Sequence, residues 1–268
     1  MTVPDSSSPA KIGILDSGVG GLSVLRELHQ RLPGVAMHYV GDSDWCPYGN
    51  KSPEEIRDRV TVIADYLLNH GANILVIACN SATIHAVGSL RANYPIPIVG
   101  MEPGVKPAAE RTRSGVIGVL ATEASIAGEK FHQLLNNHAD GVTVITQPCP
   151  RFVELVEAGI VSGPDAEAAV SEALTPLIEA DADVIVLGCT HYPFLGKVIE
   201  HLLPSSATII DTGPAVADRV VSLISGVSEV HNNPSEILIE TTGDLEHLDL
   251  VLPQLIPEIE VTTSKAAL

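Results

Sequence analysis

The chain has 268 residues, 45% hydrophobic and only 3% aromatic, so its core is expected to be aliphatic and large enough for one big domain or two smaller ones. A net charge of −18 argues against nucleic acid as a partner, because phosphate binding needs clustered Lys and Arg, and no apolar run approaches the roughly 20 residues that span a bilayer. The four cysteines, Cys46, Cys79, Cys149 and Cys189, form no Cys-x-x-Cys pair, which argues against a zinc ribbon or thioredoxin-like site and suits free thiols in a reducing cytoplasm.

The opening MTVPDSSSPAK lacks the basic-then-apolar order of a secretory signal and reads as a short irregular tail. A strand is expected over 11–15, then the glycine-rich turn DSGVGG and a helix over 22–32, stopped by Pro33 and Gly34. After a strand at 35–40 comes the polar loop GDSDWCPYGNK. Ser52 then opens a helix, with Pro53 at its first position and Glu55 completing a capping box; Ile56, Val60, Ile63 and Leu67 follow at helical spacing. Residues 73–78 form a continuous apolar run, as expected of a strand buried on both faces. Strands near 96–99, 116–120 and 142–146 follow, with a helix over 123–136 between the last two. CPRFVELVEAG and residues 164–180 read as helices, followed by the strand before Cys189, a strand near 209, a helix, a strand near 237–239, and a closing helix and strand. The alternation predicts an α/β protein with mainly parallel sheets. NILVIACNSAT and ADVIVLGCTHYP echo each other at a spacing of 110 residues (189 minus 79), which suggests two similar lobes facing one another. Composition places a boundary near YPIPIVG.

Three polar clusters stand at strand ends: DSG at 16–18, CNSAT at 79–83 and CTH at 189–191. Open α/β sheets bind ligands beyond the carboxyl ends of their strands. Each cluster is expected to precede a helix, whose free N–H groups and partial positive charge can hold a carboxylate without any arginine and favour a thiolate. The turn DSGVGGLS starts like a dinucleotide loop, but Ser23 stands where the third glycine of G-x-G-x-x-G belongs, and no G-x-x-x-x-G-K-[ST] occurs; no nucleotide is expected. No metal is expected either, since Cys189 and His191 offer two ligands with no partner pair evident in the sequence. A single strand-end cysteine is more often a small buried hydrophobe, whereas two of them in polar company point to chemistry. Asp16 ends a buried strand, where an unpaired carboxylate is costly, so a role is expected of it. Cys149, between two prolines, reads as packing; Cys46, in a loop with Trp45 and Tyr48, is left open as pocket lining.

Taken in order, ILDSGVGGLSVLREL, YVGDSDWCPYG, VIACNSAT, CPRFVELVEAG, VLGCTHYP and the late TTGD resemble the glutamate racemases of the aspartate/glutamate racemase superfamily over about residues 11–243. The resemblance implies two α/β lobes, residues 1–97 plus 208–268 and residues 98–207, with the active site in the cleft between them. It implies cofactor-independent interconversion of L- and D-glutamate, supplying D-glutamate for peptidoglycan, by a cytoplasmic homodimer. Cys79 would act on D-glutamate with help from Asp16, and Cys189 on L-glutamate with help from His191, with Glu157 near the second cysteine. Asp16, Ser17, Tyr48, Gly49, Asn80, Ser81, Thr190 and His191 match the substrate contacts. The family often has Thr where Ser81 stands, Cys46 beside the PYG segment is less usual, and MEPG at 101–104 lies where subgroups differ. Two other readings remain: a relative acting on another substrate such as aspartate, and an amino-acid-binding protein without catalysis. The paired thiols argue against the second, because binding alone does not need them.

Overall fold

A computed structural model describes residues 9–224 and 236–268; the expected N-terminal tail falls mostly on residues 1–8, outside the described residues. In chain order the elements are β1 (Lys11–Asp16), α1 (Leu22–Arg31), β2 (Ala36–Gly41), α2 (Pro53–Asn69), β3 (Ile74–Ile77), α3 (Asn80–Asn93), β4 (Ile98–Gly100), α4 (Val105–Arg111), β5 (Val116–Ala121) and α5 (Glu123–Ala127). They continue with α6 (Glu129–His138), β6 (Thr143–Pro148), α7 (Pro150–Glu157), α8 (Pro164–Glu179), β7 (Val184–Leu187), α9 (Gly196–Leu202), β8 (Thr208–Ile210), α10 (Gly213–Ile224), β9 (Ile237–Thr241), α11 (Leu245–Leu255) and β10 (Thr262–Lys265).

The strands form two sheets, one of six in the order β10-β9-β2-β1-β3-β4 and one of four in the order β6-β5-β7-β8. All their described pairings are parallel. The buried patterns of β1, β3 and β7 explain the arrangement. After Lys11, β1 is buried throughout, and β3 (ILVI) and β7 (VIVL) have no exposed position, so both faces of each strand need a helical cover. Leu22, Val24, Leu25 and Leu28 of α1 supply such a cover, as do Ile56, Val60, Ile63 and Leu67 of α2. The capping box of α2 is formed: Glu55 N–H donates to Ser52 Oγ at 3.3 Å and Ser52 N–H donates to Glu55 Oε2 at 2.9 Å.

β4 pairs with β3 in the first sheet and β8 with β7 in the second, so the chain crosses between sheets after residues 100 and 210. The prolines of YPIPIVG mark the turn before β4, and the carbonyl of Pro97 already accepts from Leu75 N–H at 3.0 Å. The helix expected over 123–136 is two helices, broken at Gly128, whose backbone is extended. Glycine is a poor helix former, and Gly128 lies against Ile84 of α3. The short helix α4 was not anticipated, because seven residues are too few for a helical period to declare itself.

Both sheets have a switch in strand order beside a central strand, between β1 and β3 in the first and between β5 and β7 in the second. Such points open a crevice at the carboxyl ends of the strands. Asp16 ends β1 and Cys79 follows β3; Thr122 follows β5 and Cys189 follows β7. The two crevices face each other.

Candidate active site

Cys79 and Cys189 line one narrow cleft together with Ser17, Tyr48, Asn80, Ser81, Thr190 and His191, its other lining residues being Pro47, Gly49, Thr122, Ser125 and Val153. The cleft thus gathers most of the residues singled out in the sequence, with no Lys or Arg among those that line it. Both thiols are buried, and all four cysteines are free.

The first lobe supplies one half. Cys79 caps α3, its Sγ accepting from Ala82 N–H at 3.5 Å. The thiol also points to Ser17 Oγ at 3.7 Å, and the Ser17 hydroxyl donates to Asp16 Oδ1 at 3.3 Å. Asp16 therefore reaches Cys79 through Ser17. Its carboxylate also accepts from Gly18 N–H at 2.8 Å and, across the cleft, from the Thr190 hydroxyl at 3.0 Å. Burial of Asp16 pushes its carboxyl up to about 6, against the opposing pull of His191. The expectation that the helix terminus would favour a Cys79 thiolate does not hold. Burial, with Asp16 adding its negative charge, pushes the Cys79 thiol up to about 12 and outweighs the Ala82 N–H.

The second lobe supplies a different half. Cys189 Sγ lies 3.5 Å from His191 Nδ1, and His191 Nε2 lies 2.7 Å from Glu157 Oε1. Burial acts to lower the His191 pKa, but its hydrogen bonds to Cys189 and Glu157 prevail and hold it well above the ordinary value. Burial likewise acts to raise Glu157, and its hydrogen bond to His191 prevails and lowers it. The pair is an imidazolium locked to a carboxylate, which sets a cation against the Cys189 sulfur. Glu157 acts on His191 rather than touching the cysteine.

The glycine-rich turn also has its explanation. A Cβ on Gly18 would run into the Glu157 carboxylate, and one on Gly20 would run into His191 and Thr190. Bare backbone lets this turn lie against the other lobe, where Val19 N–H donates to Glu157 Oε1 at 2.9 Å and Ser23 Oγ donates to the Thr190 carbonyl at 2.8 Å. The CTH cluster departs from expectation: it leads into a 3₁₀ turn, Tyr192–Leu195, and α9 starts only at Gly196. Pro193 stands in that turn, where its fixed φ is tolerated and its missing N–H leaves no helical bond unmade.

Asn80 is the most informative substrate-contact candidate. It is buried at the N-terminus of α3, and neither its amide nitrogen nor its amide oxygen has a partner among the described residues. An amide in that condition is costly unless a ligand completes it. Tyr48 faces the cleft, but its hydroxyl donates to Asp42 Oδ2 at 2.7 Å, so its ring and backbone are what it offers there. Asp42 is in turn gripped by Arg59 at 2.8 and 2.6 Å and accepts from Thr242 Oγ1 at 2.9 Å. This network fixes the Tyr48–Gly49 loop and went unseen in the sequence, as did Thr122, Ser125 and Val153. Thr122 had a signal: VLATEAS repeats the pattern of an apolar strand ending in small polar residues.

Cys46 lies outside the cleft and lines the cavity beside it, with its Sγ 3.5 Å from Glu157 Oε1. Cys149 is a packing residue: it is buried, and its thiol donates to the Gln147 carbonyl at 3.3 Å. Cys149→Ala is expected to keep most of the activity, measured as the turnover of purified protein.

The Asp/Glu/Hydantoin racemase family profile matches residues 12–220. The chain belongs to this family. The racemase relatives include the glutamate racemase of Ectopseudomonas mendocina, 47% identical over 255 residues that cover 94% of this chain and 97% of that one. Among solved structures, Escherichia coli glutamate racemase in complex with L-glutamate and the activator UDP-MurNAc-ala superposes with a TM-score of 0.87 at 30% identity, covering 97% of this chain and 99% of the other. Francisella tularensis glutamate racemase in complex with D-glutamate gives 0.83 at 25% identity, covering 98% of each chain. The two-lobed α/β fold of this racemase family is therefore the fold of this chain. Among the described residues, no helix is long and apolar enough to cross a membrane.

Proposed function

We propose that the protein interconverts L- and D-glutamate without a cofactor, Cys79 and Cys189 serving as the two bases on opposite faces of the substrate α-carbon. The observation that carries this reading is the placement of two buried thiols, one from each lobe, in a single cleft beside the unpartnered amide of Asn80. Inversion at carbon needs a proton removed from one face and another delivered to the opposite face, which two facing thiols supply. The names and bound ligands of the relatives support glutamate as the substrate.

In the L-to-D direction Cys189 takes the α-proton, with protonated His191 and Glu157 behind it. Cys79, which rests as a thiol, delivers its proton to the other face. In the reverse direction Cys79 must first give up its proton, with Asp16 reached through Ser17. The substrate carboxylates are held by first-turn N–H groups of α3 and by Asn80, Ser81 and Thr190, with no arginine fork, which is how a chain of net charge −18 can bind a substrate with two carboxylates. Positioned proton transfer contributes about 10²–10⁴-fold. The remaining acceleration comes from the buried, preorganised cleft. The enzyme acts in the cytoplasm as a homodimer and provides D-glutamate for peptidoglycan.

Circular dichroism of the purified protein with each enantiomer tests the reaction. Both signals should decay to zero, and EDTA should leave the rate undiminished. A requirement for pyridoxal phosphate, loss of activity in EDTA, or turnover of aspartate with glutamate left untouched would overturn the reading. A glutamate-bound structure with an Arg–carboxylate fork would refute the binding mode.

A further inference from the structure

We propose that Cys46, Glu157 and His191 form an inhibitory binding site for a thiophilic divalent cation such as Zn²⁺, at the mouth of the cleft. Neither thiol assigned to proton transfer takes part. Cys46 Sγ, a Glu157 carboxylate oxygen and a His191 ring nitrogen all lie within 4.8 Å of one another. Two of the separations are short: 3.5 Å from sulfur to Glu157 Oε1 and 2.7 Å from Glu157 Oε1 to His191 Nε2. Zinc bonds of about 2.0–2.3 Å at a tetrahedral angle hold ligand atoms roughly 3.3–3.7 Å apart, so sub-ångström movements convert this trio into three sides of a tetrahedron. Thiolate, imidazole and carboxylate together are a donor set for zinc rather than for calcium or magnesium.

The surroundings favour a cation. Cys46 and Glu157 also line a cavity of about 520 Å³ that borders the cleft, sharing Pro47, Gly49, Thr122 and Val153 with it. Asp44, Glu123, Glu154 and Asp244 line the same cavity, with no Lys or Arg among its lining residues. This acidic vestibule is a poor landing surface for glutamate and a good one for a dication. Cys46 and Glu157 line it, so it gives a dissolved cation access to the trio.

Binding releases the Cys46 thiol proton and the His191 Nε2 proton to solvent and forms three metal–ligand bonds. The consequence follows from the roles assigned above. His191 loses its hydrogen bond to Glu157 and is pinned by the metal, so it no longer supports Cys189 as an imidazolium. The inhibition rests on the proposed racemase reading, whereas binding of the metal does not.

The two are therefore measured separately. Titration of the full chain with Co²⁺, after EDTA treatment and desalting, should show one equivalent bound with a thiolate-to-cobalt charge-transfer band. The band should vanish in Cys46→Ala and equally in Cys46→Ser, which keeps the side-chain size should the alanine variant fold poorly. In turnover assays, Zn²⁺ should inhibit the wild type reversibly. Cys46→Ala should match the wild type within about threefold in EDTA, yet need at least tenfold more Zn²⁺ for half-inhibition. A thiolate band that persists in Cys46→Ala would place the metal on Cys79 or Cys189 and overturn the proposal. So would the absence of any band in the wild type, or equal Zn²⁺ sensitivity of the two proteins.

Discussion

Cys79→Ser and Cys189→Ser should each lose racemisation by about 10²–10⁴-fold, the range that positioned proton transfer supplies. Both variants should fold, because serine is nearly isosteric and neither cysteine is in a disulfide. The loss follows from the two-base arrangement: a serine hydroxyl is a far poorer base than a thiolate, and one functioning face cannot complete an inversion. Isotope content distinguishes the halves. With wild-type protein in D₂O, product formed early should carry deuterium at Cα while recovered substrate carries little, because the abstracting thiol keeps the substrate hydrogen and the opposite one delivers solvent deuterium. Each variant should still exchange the α-proton of one enantiomer slowly, L-glutamate where Cys189 remains and D-glutamate where Cys79 remains. Near wild-type racemisation in either variant would return that cysteine to the role of core filler. Protium carried from substrate to product would indicate a single base serving both faces.

The difference between the two thiols was only partly readable from the sequence. A continuous apolar run ending in a polar cluster marks a buried parallel strand and its carboxyl end, so Asp16, Cys79 and Cys189 could be placed on the right edge of the sheets. What surrounds each cysteine was harder. His191 lies two residues from Cys189, and its contact is local. Asp16 lies 63 positions before Cys79 and reaches it only through Ser17, a geometry set by the β1–β3 register and by the glycine turn. The meeting of Cys46 with Glu157 spans 111 positions and two sheets, and nothing in the periodicity of either segment reports it. The Asp42–Arg59 grip beneath Tyr48 joins a loop to α2 and is invisible for the same reason. Strand ends are local facts of the chain, and the pairing of lobes across a cleft is not.

Asp16→Asn should make the folded protein more stable at pH 8 while it cripples turnover. Asp16 is fully buried, and its carboxyl is pushed from 3.8 up to about 6, so the folded state resists its ionisation more than the unfolded state does. A raised carboxyl contributes stability while it holds its proton, fully below its unfolded value near 3.8, and that contribution is lost as pH rises through about 6. Two pKa units correspond to about 3 kcal/mol, an upper figure for what the ionised carboxylate costs at pH 8. Asparagine avoids the cost. Its amide oxygen can accept from Gly18 N–H as Oδ1 does, and its amide nitrogen can donate to the Thr190 hydroxyl, which keeps the tie across the cleft. Measured as thermal midpoints against the wild type, the variant's advantage should be largest at pH 7–8, shrink through pH 6 and disappear near pH 4, where both proteins are neutral at this position. The kcat measured with D-glutamate should fall most, because Cys79 then lacks the acceptor that draws its proton through Ser17. A variant less stable than the wild type at pH 8, or an advantage that does not change with pH, would show that Asp16 is comfortably ionised in the fold. The raised carboxyl would then play no part in how Cys79 is charged.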